Sequence, residues 1–208
     1  MRDLQAEFGN IDIYLFDQLL KGRIKATDRV FDAGCGSGRN AYYLLTQGVH
    51  VSVADTSAEA VADLRELALE CGGTPDDSRF RVEPLHKLTF DDNAFDVVIC
   101  NAVLHFAEDD AHFESMVKDL WRVLRPGGLF FARLASSIGM ESRVRRIKGR
   151  RFSLPDGSDR YLVDESQLMA LTARFGGQLL DPLKTTIVQD QRAMTTWVMR
   201  KKGTPIED

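Results

Sequence analysis

The sequence predicts an α/β fold, a doubly wound and mostly parallel sheet with helices on both faces and a last strand that runs antiparallel. Three observations predict it. Short apolar runs of strand character alternate with amphipathic stretches of helical period, which implies parallel strands joined by right-handed crossovers. One such run, residues 95–100, is almost continuously apolar, as a strand buried on both faces must be. Near the end, β-rich runs at 179–188 and 194–200 are joined only by the polar stretch Gln189-Asp190-Gln191-Arg192, and strands joined by so short a turn run antiparallel.

The elements follow in order. From 10 to 21, Ile11, Leu15, Phe16, Leu19 and Leu20 recur at helical spacing, with Asn10 or Asp12 able to cap the start and Gly22 to stop it. A first strand then ends in Val30-Phe31-Asp32 and enters a glycine loop. Residues 39–47 read as a helix ending at Gly48, and residues 49–55 alternate as a second strand that ends in an acid. Ser57 caps a helix with the stripe Val61, Leu64, Ala68 and Cys71, closed by Gly72-Gly73. Residues 79–83 form a short third strand and 95–100 the fourth. Between 108 and 124, Phe113, Met116, Val117, Leu120 and Leu124 keep the pattern of a surface helix. A Pro126-Gly127-Gly128 turn leads to a fifth strand, and a capped helix spans 164–175. Residues 136–163 have no clear periodicity and hold six basic residues between Arg143 and Arg151, a lid-like insertion. A basic lid over an anionic substrate and a solvated loop are both open readings of it.

The 208 residues, 44% of them hydrophobic, suit one domain spanning 1–208; a chain of that size buries roughly 70% of its unfolded surface. A net charge of −4 argues against a general nucleic-acid partner, which shows a basic excess. No apolar run reaches the roughly 18 residues of a membrane span, and the segment Met1 to Glu7 lacks the apolar core of a signal peptide, so the expectation is a cytoplasmic protein with no membrane partner. Cys35, Cys71 and Cys100 suggest neither disulfides nor a zinc site, and His50, His86, His105 and His112 have no metal-ligand spacing; no metal is expected. No feature sets an oligomeric state.

The chemistry concentrates in Val30-Phe31-Asp32-Ala33-Gly34-Cys35-Gly36-Ser37-Gly38-Arg39-Asn40. In a dinucleotide loop, Gly-x-Gly-x-x-Gly brings backbone N–H groups to a pyrophosphate. Here Asp32 stands two residues before Gly34, and Arg39 occupies the place of the last glycine. A carboxylate repels a diphosphate and attracts a ligand carrying an ammonium and a sulfonium.

This run resembles motif I of the class I S-adenosylmethionine-dependent methyltransferases, and further elements extend the resemblance from about Arg29 to Arg133. They are Asp55 at the end of the second strand, Phe95-Asp96-Val97-Val98-Ile99-Cys100-Asn101 with the turn to His105, and the helix, Pro-Gly-Gly turn and strand around 120–129. The resemblance implies a Rossmann-like sheet of about seven strands, S-adenosyl-L-methionine as cofactor and S-adenosyl-L-homocysteine as product. Carried over residue by residue, it implies a cofactor site of Asp32, Ala33, Gly34, Cys35, Gly36, Gly38, Asp55, Thr56, Leu85 and Asn101, with Asp55 on the ribose hydroxyls and Asn101 near the methionine part. The acid that the family places on the adenine amino group falls at Pro84, with Glu83 one residue early, so the Leu85 backbone takes that contact here. Gly38-Arg39-Asn40-Ala41-Tyr42-Tyr43-Leu44 is similar to the tellurite-resistance type. The segment 1–28 holds a helix that in the family covers the donor site, which makes Tyr14 a candidate contact.

In-line methyl transfer needs alignment of donor and acceptor, and a base only for alcohols or phenols. His105, after the fourth strand, is the candidate base or acceptor contact; packing is the alternative. Arg133, Arg160 and Tyr161 are candidate acceptor contacts. The acceptor is expected to be a small molecule, since no recognition domain for tRNA, DNA or protein is visible. Two other functions stand beside this one, a nicotinamide-dependent oxidoreductase, disfavoured by Asp32 and the terminal hairpin, and a non-catalytic partner-binding module that keeps the fold.

Overall fold

The computed structural model describes residues 3–73 and 76–203; Met1 and Arg2 of the expected 1–28 segment, and 204–208, lie outside them. Two short helices open the chain, α1 (Leu4–Phe8) and α2 (Ile13–Leu20). The Asp12 carboxylate accepts the Tyr14 N–H and caps α2, so of the two expected caps Asp12 is the one used. Next come β1 (Arg29–Ala33), α3 (Ala41–Thr46), β2 (His50–Asp55), α4 (Ala58–Glu70), β3 (Phe80–Val82) and β4 (Phe95–Asn101). Ser57 Oγ caps α4 by accepting the Ala60 N–H at 3.2 Å. Then follow α5 (Asp110–Val123) and β5 (Leu124–Ser136). The Pro126-Gly127-Gly128 turn is absorbed as an irregularity of β5, because the pairing with β4 jumps from Phe95↔Leu124 to Val97↔Leu129.

The expected shapeless insertion is instead a small antiparallel sheet of β6 (Arg145–Lys148), β7 (Arg151–Ser153) and β8 (Asp159–Tyr161). Its strands escape sequence reading because β6 is exposed along its length and shows no alternation. A bridge between Ser136 and Val163 ties it to the main sheet. The chain ends with α6 (Glu165–Arg174), β9 (Gly177–Leu179), β10 (Lys184–Val188) and β11 (Arg192–Lys201). The run expected as one strand over 179–188 is therefore two, interrupted around Pro182, which has no N–H to give to a ladder.

The main sheet runs β10-β11-β5-β4-β1-β2-β3, with β9 also on β11. Neighbours from β5 to β3 pair in parallel and β11 alone is reversed. The closing turn has φ of 47° at Gln189 and 57° at Asp190, the twist that a tight hairpin needs. Successive residues feed opposite cores: Phe31, Phe130 and Trp197 pack with Phe113, Leu120 and Trp121 on one face, while Val30, Phe131 and Val198 pack with Leu15, Leu44 and Leu64 on the other. That two-sided burial explains the apolar strands. Among the described residues no helix is long and apolar enough to cross a membrane.

Candidate active site

The carboxyl ends of β1, β2 and β4 open into a cleft of about 540 Å³, where parallel sheets of this kind place ligands. Gly34, Cys35 and Gly36 line it together with Asp55, Thr56, Leu85 and Asn101. The loop is held by side chain and backbone together. Asp55 Oδ2 accepts the Gly36 N–H at 3.0 Å and its Oδ1 the Ser57 N–H at 2.9 Å. Gly34 and Gly38, at φ of 73° and 75°, leave room for Val103 and Leu64, whose side chains a Cβ would strike at 2.4 and 2.2 Å. A Cβ on Gly36 would meet nothing within 4 Å. Asn101 is 8% exposed, and both polar atoms of its amide are buried without a partner among the described residues.

Three of the expected cofactor residues sit beneath this surface and do not line it. Ala33 is fully buried in the β1–β2 ladder, and Gly38 is buried against Leu64. Asp32 is 2% exposed and its Oδ2 is buried with no hydrogen-bond partner among the described residues. Burial raises its carboxyl to about 7; the Arg39 cation opposes the shift and the Asp55 anion adds to it. Of the two acids it is Asp55, the last residue of β2, that lines the cleft, while Asp32 stands one residue inside the end of β1, paired with Val53 in the ladder, and lies deeper.

The cleft is also lined by His86, His112 and Met116, which sequence reading left out. His112 Nδ1 faces the Glu108 N–H at 3.3 Å and its Nε2 lies 3.2 Å from His86 Nδ1, so the two rings form one chain beside Met116. They lie 26 positions apart and nothing local signals the pairing. Glu83 borders the cleft too, but both its oxygens face Thr89, at 2.7 Å from the hydroxyl.

A second chamber of about 360 Å³ adjoins the cleft, sharing Arg39, Ala102 and Phe106 with it. Ala102 has φ of 63°, an uncommon conformation for alanine, and donates its N–H to the Arg133 carbonyl at 2.7 Å. Phe106, 56% exposed, takes the Arg160 guanidinium on its ring at 4.8 Å. Arg133, Arg160 and His105 line the chamber together with Arg192, which no motif marked. His105 does not suit the expected role of base. Its Nδ1 accepts the Ala135 N–H at 3.3 Å, and burial, aided by Arg160, Arg192 and Arg133, lowers it to about 4.

Tyr14 and Tyr161 line neither cavity. The Tyr14 hydroxyl bonds Thr186 and its ring backs Arg133 at 5.3 Å. Tyr161 is fully buried, stacked on Phe113 at 4.7 Å, and donates to Asp110 at 2.6 Å. The expected cover over the donor site is also absent from the cleft walls: α1 packs its Phe8 on Tyr43 of α3, and α2 meets β10 through Tyr14 and Thr186. Nor does the basic run form a lid. Arg143 pairs with Asp190 at 3.0 Å, Arg150 with Asp164 at 2.7 Å, Arg146 lies over Phe152 and Arg151 donates to the Ala107 carbonyl. The part of the insertion that reaches the chamber is the β7–β8 turn, with Leu154, Asp156, Ser158 and Arg160.

A family model described as a methyltransferase domain matches residues 31–132. The tRNA 5-carboxymethoxyuridine methyltransferase of Escherichia coli (strain K12) is 33% identical over 106 residues, 49% of this chain and 38% of the relative; the similarity thus spans well under half of that protein. Among solved structures, an S-adenosylmethionine-dependent methyltransferase from Clostridium acetobutylicum covers 97% of this chain and 95% of its own at a TM-score of 0.71 and 14% identity. The Burkholderia thailandensis 1,6-didemethyltoxoflavin-N1-methyltransferase, solved with bound 1,6-didemethyltoxoflavin and S-adenosylhomocysteine, has 97% of this chain and 82% of its own covered at a TM-score of 0.67 and 20% identity. These likenesses show the fold. The matched residues run from β1 into β5, across every strand whose end opens into the cleft, and this half of the chain is what matches the methyltransferase-domain family.

Proposed function

We propose that the protein transfers the methyl group of S-adenosylmethionine to a small-molecule acceptor by in-line displacement. The observation that carries this reading is the cleft itself, with a glycine loop pinned by Asp55 on one side and the unpartnered amide of Asn101 on the other. Each Asp55 oxygen already takes one backbone N–H and keeps a further lone pair for a ribose hydroxyl. Asn101 offers a donor and an acceptor, the complement of an amino acid's ammonium and carboxylate. The open side of Gly36 lets a ligand lie against the loop backbone, and Leu85 supplies an apolar end for a base. When bound, the donor supplies a carbon already activated by its sulfonium.

The protein's part is alignment. Ala102 and Phe106 stand where cleft and chamber meet, so an acceptor in the chamber is directed at the cleft. A chamber of about 360 Å³ suits a small molecule. His105, lowered to about 4, is too weak a base to draw a proton from an alcohol, which favours an acceptor that already has a free lone pair at neutral pH. Calorimetric titration with S-adenosylhomocysteine and with NADH tests the reading. Heat with the nucleoside and none with the dinucleotide is expected; the reverse pattern would assign the cleft to a nicotinamide cofactor.

A further inference from the structure

The chamber beside the cleft is strongly cationic for its size. Four guanidinium side chains line it, those of Arg39, Arg133, Arg160 and Arg192, against the one carboxylate of Asp156. Asp12 lies just behind and takes Arg39 at 3.0 Å and Arg133 at 3.3 Å on the same Oδ2. Four cations against two anions leave a surplus of two positive charges around a small cavity. Arg133 is the best placed of them. Its Nη1 is held by Asp12 and the Tyr14 ring lies against its guanidinium, while its Nε is buried with no partner among the described residues. A buried N–H of this kind calls for an acceptor, and a ligand's carboxylate can supply one.

We propose that this chamber binds the carboxylate of a small carboxylic-acid acceptor, with Arg133 as its main partner, and that the acceptor's reacting atom is turned towards the cleft. This deepens the methyltransferase reading and rests on it. The free edge of Arg133, carrying Nε and the second terminal nitrogen, is planar and matches the two oxygens of a carboxylate. The other cations are less free. Arg39 is committed to Asp12, Arg160 to the Phe106 ring, and Arg192 approaches Asp156 at 3.9 Å. A tetrahedral dianion would need more unspent donors than remain. Leu154, Val188 and Met194 also line the chamber and give it apolar surface for the acceptor's body. The His105 ring, with its Nδ1 accepting from Ala135, keeps its proton on Nε2 and adds a neutral donor to the lining.

The test uses the full chain saturated with S-adenosylhomocysteine, titrated with benzoate, 4-aminobenzoate and 4-mercaptobenzoate, with the amide of each, and with inorganic phosphate. At least one carboxylate is expected to bind roughly tenfold or more tightly than its amide, the scale of one charge-assisted pair. Arg133→Gln and Arg192→Gln are each expected to weaken that carboxylate; Arg192, with its side chain 57% exposed, is replaceable without disturbing the core. Equal binding of acids and amides, no carboxylate binding by a protein that does bind S-adenosylhomocysteine, tighter binding of phosphate, or an unchanged Kd in both variants would each overturn the proposal. Failure of S-adenosylhomocysteine itself to bind would overturn the methyltransferase reading and this proposal with it.

Discussion

Asp12 and Arg133, separated by 121 positions, meet where the N-terminus of α2 crosses the end of β5, with Nη1 3.3 Å from Oδ2. The same oxygen accepts from Arg39 of the glycine loop, and the Asp12 N–H is bonded to Asn40 Oδ1 at 3.1 Å. One buried carboxylate thus joins the N-terminal helix, the cofactor-side loop and the chamber. Asp12→Ala removes a helix cap and leaves a largely buried guanidinium without its anion, so unfolding stability should fall by about 2–4 kcal/mol. Arg39→Gln, at a half-exposed partner, should cost about 1 kcal/mol or less. Urea titration of both variants measures the difference; equal small losses would show that Asp12 is not the junction described.

Asp55→Ala should weaken binding of S-adenosylmethionine by about 1–3 kcal/mol, through lost ribose contacts and a loop no longer pinned at Gly36. Calorimetry gives the number directly. An unchanged Kd would remove Asp55 from the cofactor site.

The loop glycines should separate folding from binding. In Gly38→Ala the new methyl lands 2.2 Å from Leu64 Cδ2 at a φ of 75°, and a loss of about 2–4 kcal/mol in stability is expected. In Gly36→Ala the methyl meets no protein atom within 4 Å, so stability should drop by only about 1–2 kcal/mol, while the Kd for the cofactor rises roughly tenfold as the methyl takes ligand space. Thermal melts and calorimetry on the two variants read both effects.

Stability should respond to pH through two opposed groups. Asp32 is raised from 3.8 to about 7, so the folded chain holds a proton that the unfolded chain releases; its contribution is present below about 4 and is lost as pH rises to about 7. His105 is lowered from 6.5 to about 4, so its contribution is present above about 6.5 and is lost as pH falls to about 4. In the wild type the two partly cancel over that window. Asp32→Asn should leave a stability that rises from pH 4 to 6.5, and His105→Gln one that falls over the same range, each by up to about 1.4 kcal/mol per pH unit. Denaturant midpoints at several pH values distinguish them, and parallel profiles for both variants would contradict these assignments.

Much of the sheet is legible before folding because its signals are local. Strands buried on both sides must be apolar throughout, and Val97 to Cys100 are. Ser57 and Asp164 cap their helices as their places in sequence suggest, and the 189–192 turn can only reverse the chain. The insertion was not legible, since the exposed β6 has no periodicity and its basic residues resemble a surface run until Asp190 and Asp164 are brought to Arg143 and Arg150. The split of the run 179–188 into β9 and β10 likewise shows only when both are seen to pair with β11 on either side of Pro182.

The sequence by itself determined the alternation of strands and helices from β1 to β5, the glycine loop with Asp55 at the end of the next strand, and hence the likeness to a methyltransferase domain, because those features lie within short stretches whose spacing fixes their geometry. Only the tertiary structure decided which side chains reach the cavities. It buried Asp32 under the loop, turned Tyr161 into the core, paired His86 with His112 and gathered Arg133, Arg160 and Arg192 around one chamber. The reason is physical: local spacing sets the direction of a side chain along its own strand or helix, whereas burial, charge and partnership depend on which distant elements pack against it.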